Sequence, residues 1–460
     1  MNRLRITLND RKRIVLSTAM AAVFVFLAGG ANALANTVWT VSKTSSNATC
    51  SLPSKTTCNT IGAAVNATGI SPGDVIVVGR GTYNESVYIH TDNLSIFGAQ
   101  AGKDARVRRN DPSKESIVDA TGQSGGPGGG AAFFLKAAVS CVVIDGFTIQ
   151  GGTSGDFASG IFLYGYTSAY VAYDDQLVNN IIQNNAVGID LYYYPAGTLI
   201  EYNRFKTNNT GTVNDVPPTY YAYPAYGPGY GIVAYGTYYV TITENAFEGN
   251  LAAAMSLYVA DTTEITKNTS MDDGSFAILY YCYYVFVDHN QGQDFGAKGL
   301  NPLYPGYSAD GAIDLLYLNE YMQINDNDLE KGRISNYNGI AFSNLYGADD
   351  TVCEYCQVSN NTVRGFRGNG IAAEAIGGDY GTLYYCGISG NDVEDNGGDG
   401  ILIGAGYYNY GNTLFDNKLE GNHTNDCEDD TSGTWTEGTY DTWFKNIGTL
   451  SLPAGLCSSH

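Results

Sequence analysis

The sequence predicts an all-β fold, a single right-handed parallel β-helix (a solenoid) with an N-terminal helical cap and a disulfide-closed C-terminal tail. Three observations carry this expectation. An Ile-x-x-Asn step recurs along most of the chain, a second apolar alternation follows each step, and the repeat region holds no sustained helical spacing.

The step comes first. "IVAYGTYYVTITENAFEGN" (232–250) returns 23 residues later as "MSLYVADTTEITKNTSMDD" (255–273). With the asparagine as anchor, the series is Asn180, Asn203, Asn245, Asn268, Asn290, Asn327, Asn361, Asn391 and Asn417, each with an apolar residue three positions earlier. The anchors are 23, 42, 23, 22, 37, 34, 30 and 26 residues apart, and a floor of 22–23 with insertions describes one solenoid turn plus variable loops. Equal positions then stack along the axis at about 4.8 Å. A buried amide at a corner bonds both the turning backbone and the amides above and below it. Asparagine also tolerates the left-handed backbone of a tight corner. The asparagines are therefore expected to form a structural ladder, and the sequon at Asn268 is discounted because it lies on that ladder.

The second strand opens with Ile161, Ile189, Ile232, Met255, Ile278, Ile313, Ile340, Ile371 and Ile401, and an apolar or small residue follows two positions on. This is strand periodicity with one face buried. Parallel crossovers are almost always right-handed, which sets the expected hand.

Residues 1–35 read as a signal peptide: a basic leader, the apolar run "IVLSTAMAAVFVFLA", and small-residue cleavage sites in "ANALA". A secreted or cell-surface protein cleaved near Asn36 is expected, with no membrane span after signal cleavage; a retained N-terminal anchor is the alternative. Residues 36–140 would form the cap and first turns, 141–424 the β-helix turns, and 425–460 the tail. Removing the leader takes the formal charge from −22 to −26. So acidic a body excludes nucleic acid and disfavours polyanionic chains unless metal ions bridge the charges; neutral glycans remain open.

The opening "CNTIGAAVNATGISPGDVIVVGRGTYNESVYI" (58–89) gives a short amphipathic helix, a Pro-Gly-Asp turn, an apolar strand, then Gly81-Thr-Tyr83-Asn-Glu85. Together with the repeat it resembles the right-handed parallel β-helix (pectate-lyase-like) superfamily, and its start is similar to pectin-methylesterase-like and nitrous-oxide-accessory-type members. The resemblance covers roughly 60–460 and implies a helix plugging the open end of the solenoid, since a terminal turn would otherwise expose its core. It implies no chemistry. The esterase's glutamine, aspartate and arginine motifs have no counterpart here, nor do the Asp-Asp, Gly-His-Gly and Arg-x-Lys sets of polygalacturonases.

Nine cysteines in an exported chain suggest disulfides, with Cys50–Cys58 and Cys427–Cys457 the preferred pairs. Cys356 and Cys386 fall at one inward position of consecutive turns, as a thiol pair or a bridge. "CEYC" (353–356) is a poor metal motif without a second such pair. No metal or cofactor is expected, except that "NDCEDDTSG" (425–433) could hold calcium. The glycine-rich "TGQSGGPGGG" (121–130) lacks the lysine and helix of a phosphate cradle.

Tyrosine is the unusual feature, with 37 against 17 Phe and 3 Trp. One column, three residues into the second strand, contains Tyr164, Tyr192, Tyr235, Tyr258 and Tyr281. Another, six before the anchor, contains Tyr239, Tyr284, Tyr321, Tyr355 and Tyr385, with Thr262 interrupting it. Ladder stacking accounts for such columns structurally; an aromatic strip for sugar rings accounts for them functionally. Insertions at 206–230 and 291–312 leave from one corner and would wall a groove floored by Tyr235, Tyr258 and Tyr281, and Tyr192, one turn earlier in the same column, joins them as a candidate substrate-binding residue. Asp272, Asp273, Asp310 and Asp314 fall near it, and Asp273, Asp310 and Asp314 are the candidate acid–base residues. Glu374 with Asp399 is a second acidic candidate. The expected function is binding of a polysaccharide or cell-surface glycan, neutral in charge, by a monomer. A glycan-active hydrolase using the groove carboxylates and an adhesion or surface-assembly protein are the alternatives.

Overall fold

The computed structural model describes residues 36–126, 128–165, 172–211, 228–296, 310–334, 337–344, 353–375, 383–405 and 409–459. Its strands form three long parallel sheets of 15, 12 and 13 strands. One turn illustrates the path. Thr241–Thr243 lies in the first sheet, the chain bends at Asn245, Ala246–Glu248 lies in the second, and Ala253–Tyr258 lies in the third. Ile242 pairs with Ile200 on one side and Ile265 on the other, so equal positions of successive turns stack, as the repeat predicts. The turns have one strand more than the sequence suggested: the middle strand is three residues long in most turns, too short to show a period.

The inward residues form one continuous core, from Trp39 and Ile61 at the first end to Leu419 and Trp443 at the last. The helix Ile61–Val65 closes the first end. Thr60 caps it by accepting from Ala63 N (3.1 Å), and the two oxygens of Glu85 accept from Ile61 N (2.9 Å) and Gly62 N (2.7 Å). Tyr83 is buried and donates to the Gly79 carbonyl (2.8 Å). The Gly-Thr-Tyr-Asn-Glu phrase is thus part of the plug's seating. At the far end Cys427–Asp429, Thr442–Phe444 and Ser451–Leu452 add further strands to the stack, and Cys427 is joined to Cys457.

The asparagine ladder is continuous. Asn245 N and Nδ2 both donate to Asn268 Oδ1 (2.9 and 3.0 Å), and the same amide donates to the Ile200 carbonyl (2.9 Å). The backbone N–H to Oδ1 link runs rung by rung from Asn180 through Asn417 and on to Asn446. Every anchor is buried.

A second ladder, five residues after the anchors, links Asn185, Asn208, Asn250 and Asp273; a third links Asn396, Asn422 and Asp426. Both end on an aspartate. An asparagine accepts from one side and donates to the next rung, whereas a carboxylate only accepts, so it suits a last rung.

The register corrects one expectation. In the third sheet Met255 pairs with Ala277, and Ser256 with Ile278, so Ile278 faces outward. The turn is one residue shorter here, and the missing residue lies between Asp273 and the strand. Aligning on isoleucine therefore placed the strand one position late.

Candidate functional site

The register moves the first tyrosine column. Tyr164, Tyr192, Tyr235 and Tyr258 are in line, but the next rung is Tyr280, not Tyr281. Tyr281 sits at the corner beyond with a φ of 49° and stacks on Tyr317 (5.2 Å, 6°). Nor is the column an open platform. Tyr192 and Tyr258 are only 7% and 8% exposed, and the rings lie on one another, as at Tyr235–Tyr258 (4.9 Å, 3°). Of the expected groove walls at 206–230 and 291–312, the stretches 212–227 and 297–309 lie outside the described residues.

The three candidate acids separate. Asp273 is fully buried as a ladder terminus: its Oδ1 accepts from Asn250 N (2.7 Å) and Nδ2 (2.9 Å), and its Oδ2 from Ser270 (2.6 Å). Burial pushes its carboxyl up to about 7. It belongs to the scaffold and not to a groove, as its position five residues after Asn268 could have revealed.

Asp310 and Asp314 do come together. Asp314 Oδ2 accepts from Asp310 N (2.9 Å), and Ser343 bonds both side chains. Asp314 is closed to solvent and pushed up to about 8, first by burial and then by the charge of Asp310. Asp310 Oδ2 and Asp314 Oδ1 are buried without a hydrogen-bond partner.

Other candidates are structural. Asp272 pairs with Arg333, and Asp399 accepts from Asn425 N (2.8 Å); the side chain of Glu374 lies outside the described residues. In the acidic tail, Asp426 accepts from Asn422, Thr449 and Leu450, and Asp429 from Thr431 and Trp443, so those acids are engaged in closing the solenoid. Disulfides join Cys50–Cys58, Cys353–Cys356 and Cys427–Cys457. Cys356 therefore pairs within its own turn, and Cys386 remains a buried thiol whose Sγ accepts from Cys356 N (3.4 Å). Among the described residues two clusters have donors spaced to share a cation, Cys353 with Cys356 and Cys386, and half-buried Asp288 with exposed His289 and Asp326; two of the three sulfurs are already joined.

The second tyrosine column is the exposed one. Tyr239 is 64% exposed, and Tyr284, Tyr321, Tyr355 and Tyr385 are 39–47%. All five occupy the corner between the third and first sheets at φ between 50° and 56°. A left-handed backbone costs a residue with a Cβ roughly 1 kcal/mol, and glycine or asparagine would fit more easily. From Tyr284 onward the rings stack nearly face to face, at 4.9 Å and 6°, 5.4 Å and 12°, then 6.0 Å and 9°. Within this run the ring faces cover one another, leaving edges and phenol hydroxyls outward.

A family model described as "Right handed beta helix region" matches residues 131–303. Among solved structures, the catalytic unit of a thermostable GH87 α-1,3-glucanase from Streptomyces thermodiastaticus is 13% identical, covers 92% of this chain and 71% of its own, and has a TM-score of 0.58. An alginate lyase from Paenibacillus is 11% identical over 71% of this chain and 90% of its own, with a TM-score of 0.42. A DFA-IIIase from Arthrobacter chlorophenolicus is 15% identical over 70% of this chain and 83% of its own, with a TM-score of 0.43. No curated protein matches by sequence. At 13% identity the likeness to the glucanase unit is one of fold.

Proposed function

With a right-handed parallel β-helix as its scaffold, we propose that this chain binds neutral glycans through the exposed corner column of tyrosines. The observation that carries the reading is five solvent-exposed tyrosines at left-handed corner positions. Stacking between neighbours is worth about 0.2–1 kcal/mol per pair, comparable to the backbone cost alone, and leaves the exposed aromatic surface unexplained. Aromatic rings with phenol hydroxyls suit a ligand with C–H patches and many hydroxyls. The formal charge of −22 favours an uncharged glycan over an acidic one. The basic, apolar leader and three disulfides support placing the protein outside the cell.

Replacing Tyr239, Tyr284, Tyr321, Tyr355 and Tyr385 together by asparagine tests this, because asparagine adopts the corner backbone readily. The variant is expected to keep its circular dichroism and melting temperature, while its affinity for glycans retained by the unmodified protein on a neutral-glycan array falls at least tenfold. Each ring contributes about 0.5–1.5 kcal/mol. Unchanged retention by a folded variant would remove the column from the function.

A second reading, hydrolysis, is favoured by the unpartnered oxygens of Asp310 and Asp314. Asp314, with its carboxyl near 8, is protonated at neutral pH and suited to general-acid work beside Asp310 as base. Because Asp314 is closed to solvent, turnover requires that the pair be uncovered, and binding therefore leads. In this reading Asp314→Asn abolishes reducing-end release from a retained glycan and leaves retention intact. Absence of release from the unmodified protein would reject hydrolysis.

A further inference from the structure

The corner column is broken at one rung, and the break has the shape of a site. Backbone hydrogen bonds fix the order of rungs: Gly197 N donates to Tyr238 O, Tyr239 N to Asp261 O, Thr262 N to Tyr283 O, and Tyr284 N to Glu320 O. Tyr239 is therefore flanked by Gly197 and Thr262, and Tyr284 faces Thr262 on one side and Tyr321 on the other. Among the described residues no ring packs on Tyr239. The adjacent column has the same interruption, with Asp261 bridging Tyr238 and Tyr283.

Two rungs at about 4.8 Å each separate the Tyr239 and Tyr284 positions by about 9.6 Å. The Tyr284 and Tyr321 rings stack at 4.9 Å, so a two-rung gap is wide enough for one more ring between the Tyr239 and Tyr284 positions. Its floor is polar: Thr262 Oγ1 donates to Asp261 Oδ1 (2.8 Å). Asp261 also helps raise Tyr238 and Tyr283, in each case after burial, and after Tyr194 for the first and Glu320 and Cys282 for the second. Both phenols are therefore donors at neutral pH.

Resting on the glycan-binding reading, we infer that the Tyr239–Thr262–Tyr284 gap is a slot for one neutral, all-equatorial β-pyranose unit. A chair with every substituent equatorial presents axial C–H bonds on both faces, matching an aromatic wall on each side. Its ring-edge hydroxyls meet the Asp261 carboxylate and the Thr262 hydroxyl. An axial hydroxyl would disrupt one face contact, and a uronate carboxylate would be repelled by Asp261.

The test is Thr262→Tyr, which inserts the missing rung. It is expected to hold or raise the melting temperature, because the ladder becomes continuous, and to lower the affinity for cellotetraose or laminaritetraose at least tenfold by titration calorimetry. Tyr239→Asn, which removes a wall without adding bulk, should give a similar loss. Mannotetraose and tetragalacturonate should bind the unmodified protein at least tenfold more weakly than the gluco-configured probes. Full affinity in a folded Thr262→Tyr or Tyr239→Asn protein, with loss in the five-tyrosine variant, would overturn the slot and leave the column reading standing. Retention of other neutral glycans but neither β-glucan probe would do the same. An array that retains nothing would overturn both.

Discussion

Asn268→Leu is expected to destabilise the protein by about 3 kcal/mol or more, since each buried polar group left unpaired costs about 1–3 kcal/mol. Asn268 Oδ1 accepts from Asn245 N and Nδ2, and its own amide donates to the Ile242 carbonyl (2.9 Å) and Asn290 Oδ1 (3.1 Å). Leucine removes all four bonds at once and leaves their partners buried in neighbouring turns. Urea unfolding measures the loss, and a midpoint equal to that of the unmodified protein would contradict the ladder's energetic role. Asn268→Asp should also destabilise: it keeps the acceptor but cannot donate onward, and it places a carboxylate in mid-ladder, whereas the second and third ladders carry aspartate as their last rung. Asn268 is buried, so the folded protein is also expected to lack a glycan at this sequon.

Raising the pH from about 5 to about 8 is expected to lower the melting temperature by several degrees, with a plateau above. Burial is the leading cause that lifts four carboxyls from 3.8: Asp175 and Asp314 to about 8, Asp273 and Asp441 to about 7. Each keeps its proton in the folded chain after the unfolded chain has released it. Between pH 4 and pH 8 the folded state therefore binds more protons, and stability falls as pH rises. Asp273→Asn should flatten part of the slope, because the amide still accepts from Asn250 but no longer titrates. A melting temperature that climbs steadily from pH 5 to pH 8 would show that these carboxyls are charged in the folded protein.

The sequence by itself determined the solenoid and its ladder, because a repeat with fixed offsets forces equal residues into register whatever the loops do. Asn245, Asn268 and Asn290 could be assigned as stacked amides from spacing alone. The second ladder was equally legible, five residues after each of the first four anchors, and would have taken Asp273 out of the acid–base candidates. The middle strand was not, since three residues carry no period.

Which tyrosine occupies a rung was beyond the sequence at "LYYCYY", where two adjacent rings fit either register and only hydrogen bonds between turns choose Tyr280 over Tyr281. The tertiary structure also decided which column faces water. Tyr258 and Tyr284 are alike as local sequence, but one lies on a sheet face whose outer residues are buried and the other on an open corner. Exposure is a property of everything that packs over a residue, and no offset along the chain encodes it. The same holds for Asp310 and Asp314. Their spacing puts both near one strand, but only the packed structure closes Asp314 to solvent and leaves an oxygen of each acid without a partner.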